Sequence, residues 1–208
     1  MAESVIVINF DVESEAYQAF SDLKRVSVNP DFVISQACIL KNEEGRIIDK
    51  DYFDTGVESA DDTRRGGLVG ALIGVLGGPL GVIFCGSMGY LLGRTKDITD
   101  TEKNASLIEM VCQKIPEGST AIVALAWEAE SNSINSKVDR FSSQVSRFDA
   151  AEVEEEVEKA RELQKQMEKE ARQKMREEKK EAHRQKVEER RAKIKADFEN
   201  RKAKFAKK

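Results

Sequence analysis

The chain has 208 residues, of which 35% are charged and 40% hydrophobic, with 34 Lys/Arg against 38 Asp/Glu and a formal net charge of −4. That length and apolar content suit one modest core with an appendage. Cys38, Cys85 and Cys112 are odd in number, widely spaced and set in apolar sequence, which argues against a disulfide framework or a zinc site and for a reducing, intracellular setting.

In chain order, MAESVIVINF lacks a basic leader and contains Glu3, so it reads as a strand at Val5 to Phe10, and export by a secretory signal is not expected. From Ser14, the spacing of Ala16, Ala19, Phe20 and Leu23 predicts a helix that ends before Asn29-Pro30. Phe32 to Leu40 is a second apolar strand. The turn KNEEGR, with Gly45 free to take a positive φ, returns the chain as a hairpin through Ile47 to Phe53. After a glycine-rich insertion, Thr101 to Ile115 places Ala105, Ile108, Val111, Cys112 and Ile115 on one helical face, and Ala121 to Trp127 is a further strand. The order βαββαβ predicts an α+β, ferredoxin-like sandwich, with two helices on one face of a four-stranded antiparallel sheet. A helix at Ile134 to Phe141 and a short strand at Gln144 to Phe148 extend it.

The insertion carries ten of the 13 glycines and no charge from Gly66 to Gly93. Gly66, Gly70, Gly74 and Gly78 recur every fourth residue; Gly77, Gly81, Gly89 and Gly93 continue the beat with Cys85 filling one place. That spacing puts small residues on one helical face, where two backbones can approach closely. As one helix the run would be about 42 Å long, but Gly77-Gly78-Pro79 favours a central break. The strand after the insertion must also rejoin the sheet, and Arg64 and Arg65 precede the run while Arg94 and Lys96 follow it. A helical hairpin over 59–98 is therefore expected, entering a membrane or buried against hairpins of other copies, with an ordinary buried core hairpin of the domain ranked last.

From Asp149 onward there is neither Gly nor Pro, and Asp149-Ala-Ala-Glu152 is a helix-start signature. Residues 1–148 hold 14 Lys/Arg against 22 Asp/Glu; residues 149–208 hold 20 against 16. The tail reads as one long charged helix supported by acid-first pairs such as Glu155 with Lys159 and Glu168 with Arg172. Its last part, His183 to Lys208, is basic and carries Phe198 and Phe205, which would serve as anchors on an anionic membrane surface. The expected organisation is a domain over 1–148, interrupted by the hairpin, and a helix over 149–208.

The run SVIVINFDVESEAYQAFSDLK, the hairpin around KNEEGRI, the glycine-zipper insertion and the closing EGSTAIVALAWE together resemble, over residues 4–148, a bacterial family of uncharacterised, stress-associated predicted membrane proteins. The resemblance implies a ferredoxin-like domain with an inserted helical hairpin and carries no catalytic residues.

No two glycines of the insertion stand two apart and no Lys-Ser/Thr follows, so neither a dinucleotide fingerprint nor a phosphate loop can be built there. His183, the one histidine, sits in the tail, away from any nucleophile of the domain. No catalytic, cofactor or metal residues are expected. The residues point to a non-enzymatic, membrane-associated scaffold with its domain on the cytoplasmic side, and the resemblance implies a stress protein of a bacterial inner membrane. Its association residues would be Gly66, Gly70, Gly74, Gly78, Gly81, Cys85, Gly89 and Gly93. A cytoplasmic homo-oligomer, ring or filament, assembled through the same hairpin is the alternative. Nucleic-acid binding by the tail ranks below both. The expected partners are lipid and further copies of the chain, not a small-molecule substrate.

Overall fold

A computed structural model describes residues 3–56, 67–85 and 106–205, the side chains of 192 and 195–205 excepted. In order the elements are β1 (Glu3–Phe10), α1 (Glu13–Arg25), β2 (Phe32–Glu43), β3 (Arg46–Asp54), α2 (Gly67–Leu76), α3 (Pro79–Cys85), α4 (Leu107–Gln113), β4 (Thr120–Glu128), α5 (Asn135–Val138), β5 (Ser143–Asp149) and α6 (Ala150–Phe205). The chain divides into two compact units, Met1–Gln164 and Lys165–Lys208.

The first unit is an α+β domain around a five-stranded antiparallel sheet in the order β3-β2-β4-β1-β5. β4 lies between β1 and β2, the strands that α1 joins, and β1 lies between β4 and β5, the strands that α5 joins. The hairpin from β2 to β3 closes at Glu43 opposite Arg46, and Glu44 and Gly45 both take positive φ, 54° and 78°. Two such residues give the turn whose twist matches that of paired strands.

Val5, Ile6, Val7 and Ile8 of β1 are all fully buried, and so are consecutive residues of β2 and β4. A strand buried on both sides needs cover on both faces of its sheet. α1 and α5 supply one cover: Ala16, Ala19, Phe20, Leu23, Ile134 and Val138 form a single cluster with Ile6, Ile8, Phe10, Ile122, Ala124 and Ala126. β2 contributes Phe32, Ile34, Ala37 and Ile39 to the same cluster, although Ile34 and Ala37 are three apart. A bulge at Ser35 resolves this, since Ile34 pairs with Ala126 and Gln36 with Leu125, which shifts the strand's alternation by one residue.

The opposite face, with Val5, Val7, Cys38, Leu40, Val123 and Leu125, is covered by the other helices: α2 packs on β2, β3 and β4, and α3 on β3 and α4. The first turns of α6 belong to this layer, because Ala150, Val153 and Val157 are buried and Glu156 accepts hydrogen bonds from Ser106 Oγ (2.9 Å) and the Ile108 N–H (3.3 Å). Helices therefore lie on both faces, where the sequence reading placed two on one face of a four-stranded sheet. The continuous apolar run Val5–Ile8 is the signal of two-sided burial, and α2, read as leaving the domain, answers it.

α6 starts where expected: Asp149 Oδ1 accepts the N–H groups of Ala151 (3.0 Å) and Glu152 (3.1 Å). Of the acid-first pairs, Glu155–Lys159 closes to 2.6 Å and Glu168–Arg172 to 3.7 Å.

Candidate association surface

α2 buries Leu68, Val69, Leu72, Val75 and Leu76, residues that recur at helical spacing and turn one side to the sheet. Its start is held by Gln36, which the β2 bulge aims at it. Gln36 Oε1 accepts the Val69 N–H (3.3 Å), while Gln36 Nε2 donates to Asp54 Oδ2 (3.1 Å). Gly70 and Gly74, one turn apart, lie away from the buried side, and among the described residues a Cβ at either would meet nothing within 4 Å.

The helix ends at the expected break. Gly77 and Gly78 donate to Ile73 O (2.8 Å) and Val75 O (3.2 Å), and Pro79 opens α3, where its missing N–H is no loss. The two helices are bent by 74°. A Cβ on Gly81 would run into the backbone of Leu76, so a bend this tight requires glycine there. On α3, Leu80 is buried, while Val82 and Ile83 are 40% and 37% exposed. The outward surface of α2 and α3 thus holds glycine, alanine, proline and aliphatic side chains, and no charged residue lies between Gly67 and Cys85.

The residues singled out from sequence fall to different tasks. Gly70 and Gly74 are open, Gly78 lies against the Gln164 side chain, and Gly81 is packed inside the bend. Cys85 is bonded to Cys112 in a disulfide with Cα atoms 5.0 Å apart. This corrects the reading of three unpaired cysteines and removes that premise for a reducing setting. The partners are 27 residues apart, and only the shared layer of α3 and α4 brings them together. Gly66, Gly89 and Gly93 lie outside the described residues, as does most of the expected return arm of the hairpin. Phe198 and Phe205 fall on α6, and their side chains are outside the described residues.

Among the described residues, no group of three or more His, Cys, Asp or Glu is placed to hold a metal ion. The cleft between α2 and the first turns of α6, lined by Gly67, Ala71, Glu154, Val157 and Arg161, holds about 70 Å³. That volume is below the several hundred cubic ångströms usual for small-molecule sites. No single described helix is long and apolar enough to cross a membrane; α2 and α3 reach that length and apolarity only as a bent pair.

These features define an α+β protein with a sheet covered on both faces and an uncharged, glycine-bearing helical bend in one cover. The chain belongs to the family described as "Protein of unknown function (DUF1269)", whose profile matches residues 63–168, just over half of the chain. The matched span takes in the whole bend, β4, α5, β5 and the start of α6. No curated protein and no solved structure matches the chain.

Proposed function

We propose that the protein is a non-enzymatic association module, and that its contact surface is the outward side of α2 and α3, met by the same side of a second copy. The observation that carries this reading is the opposed character of the two sides of α2. One side is fully engaged with the sheet, and the other presents Gly70 and Gly74, above which no described residue comes within 4 Å of a Cβ position. Without side chains at those positions a second helix can come close enough for backbone-to-backbone packing, and neither helix has a charge to desolvate. Val82 and Ile83 add exposed apolar area beside the stripe.

A Cβ at Gly70 or Gly74 has nothing within 4 Å among the described residues, and a leucine there would hold a neighbouring helix away. Gly70→Leu and Gly74→Leu are expected to shift sedimentation or sizing profiles toward the smaller species without lowering the unfolding temperature. Profiles unchanged from the unsubstituted protein would sink this reading.

A lipid-facing role for the same segment is the second reading, favoured by the charge-free run and by the apolarity that α2 and α3 reach together. It predicts that the untagged protein stays with membranes after carbonate extraction. Release into the supernatant would leave self-association alone. For the frame, we read the interleaving of β1-α1-β2 with β4-α5-β5 as ferredoxin-like, with β3 and the bend inserted after β2; the placement of β4 between β1 and β2 supports this.

A further inference from the structure

We propose that the Cys85–Cys112 disulfide is a reversible thiol–disulfide latch that holds α3 against α4, so that the redox state of the surroundings sets how firmly the bend is docked. The two ends of this bond are held very differently. α4 is fixed at both ends. Ser106 caps its start and, with the Ile108 N–H, bonds Glu156 of α6, while just past its end Asn42 Nδ2 donates to Ile115 O (2.8 Å) and Ile115 is fully buried. Of the seven residues of α3 only Leu80 and Gly81 are buried, and Val82 and Ile83 face outward. The disulfide is thus a covalent tie between a fixed anchor and a lightly held strap.

Access is asymmetric in the same sense. Cys112 is 4% exposed and Cys85 is half-buried, so an incoming thiolate reaches Cys85 Sγ first and Cys112 leaves as the thiolate. With a dithiol reductant, the second thiol then attacks the mixed disulfide. Cys85 is released, two electrons have passed to the protein, and the two cysteine sulfurs take up the two protons of the oxidised dithiol. In reverse, the Cys85 thiolate attacks a small-molecule disulfide such as oxidised glutathione and expels one glutathione thiolate. Cys112 then attacks Cys85 Sγ and expels the second. Cys38 takes no part: it is fully buried, and its thiol is pushed up to about 12 by burial and by Asp49 and Asp51.

That the loosened α3 changes self-association rests on the function proposed above; the latch itself does not. The full-length protein is equilibrated across reduced-to-oxidised glutathione ratios, alkylated without unfolding, and read by peptide mass spectrometry, with amide exchange measured in parallel. Cys85 and Cys112 are expected to lose reactivity together as the oxidant fraction rises, with Cys38 unlabelled throughout. Residues 79–85 should exchange about tenfold or more faster after reduction, while 107–113 and β4 keep their protection. Cys85→Ser should reproduce the reduced pattern under oxidising conditions, and Cys112→Ser, the more buried change, provides a second reading. Labelling of both cysteines at every ratio, a stable glutathione adduct on Cys85, or exchange of 79–85 that ignores reduction would overturn the latch. Exchange that follows redox while sizing ignores both redox and Gly70→Leu would support the latch and overturn the association reading alone.

Discussion

Glu128, at the end of β4, shows how much one side chain organises here. It receives Arg147 of β5 through two nitrogens, at 2.7 and 3.0 Å, and the Ile134 N–H at 2.8 Å, while Arg147 also reaches Asn135 Oδ1 at 2.7 Å. The carboxylate side chain is 8% exposed. Burial by itself would raise its pKa, but the hydrogen bonds from Arg147 and from the Ile134 and Ser133 N–H groups, with the guanidinium charge, outweigh burial and hold it below the ordinary value of 4.5. A carboxyl held lower in the folded than in the unfolded chain gives stability that is complete above the unfolded value and fades as pH falls through the folded one. Glu128→Gln, which leaves Arg147 without its counter-charge, should lower unfolding stability by about 2 kcal/mol at pH 7. In urea titrations that gap should begin to narrow as pH falls below the ordinary value of 4.5 and close once pH has passed below the lowered folded value, where both chains carry a neutral group. A gap that stays constant into acid would remove the ion pair as its cause. Cys38 behaves in the opposite sense. Its thiol is raised from 9.0 to about 12, so its contribution is complete below about 9 and is lost as pH climbs toward 12. Stability should fall by on the order of 1 kcal/mol per pH unit in that window. Cys38→Ala should flatten the slope, and an unchanged slope would assign the loss to other groups.

At the scale of the element, the glycine-rich bend joins two requirements that spacing alone does not separate. Gly74 and Gly81 both belong to the four-residue beat, but Gly74 is open and Gly81 sits on the Leu76 backbone. Gly74→Ala should therefore raise the stability of the isolated chain by up to about 1 kcal/mol through helix propensity. Gly81→Ala should lower it by about 2 kcal/mol or more, because the bend must open to admit the methyl group. Thermal unfolding of the two variants at low protein concentration tests this. Equal shifts of the same sign would mean that the bend is not packed as described. On the inner side, Leu72→Ala should cost about 3 kcal/mol, the range for a fully buried leucine, if α2 is an integral cover of the sheet. A loss under about 1 kcal/mol would point to a helix that leaves the sheet readily.

For the whole molecule, the first compact unit takes in the sheet, its covers and the first turns of α6. The sequence reading stopped the domain at residue 148, where regular strand and turn signals give way to unbroken helix. The compact unit runs on to Gln164, because Ala150, Val153 and Val157 fill the second face of the sheet and Glu156 holds the start of α4. A chain ending at Gln164 should unfold in one transition within about 1 kcal/mol of the first unit of the full protein. A chain ending at Asp149 should lose several kcal/mol, since it strips three buried apolar side chains and the partner of the Ile108 N–H. Amide exchange across β1 and β4 distinguishes the two truncations, and equal protection in both would move the boundary back to the end of β5.

All five strands, α1, the two-residue hairpin turn, the break at Gly77-Gly78-Pro79 and the start of the long helix were determined by the sequence by itself, since each rests on periodicity or local backbone preference within a few residues. What covers what was decided only by tertiary structure. Val5–Ile8 announces two buried faces but not the identity of the second cover, and the Ser35 bulge that turns Gln36 toward α2 carries no glycine or proline to mark it. The bond between Cys85 and Cys112, the opposite surroundings of Gly74 and Gly81, and the reach of Glu156 to α4 arise from segments distant in sequence packing into one layer. Such proximity is a property of the assembled sheet and its two covers. No spacing along the chain encodes it.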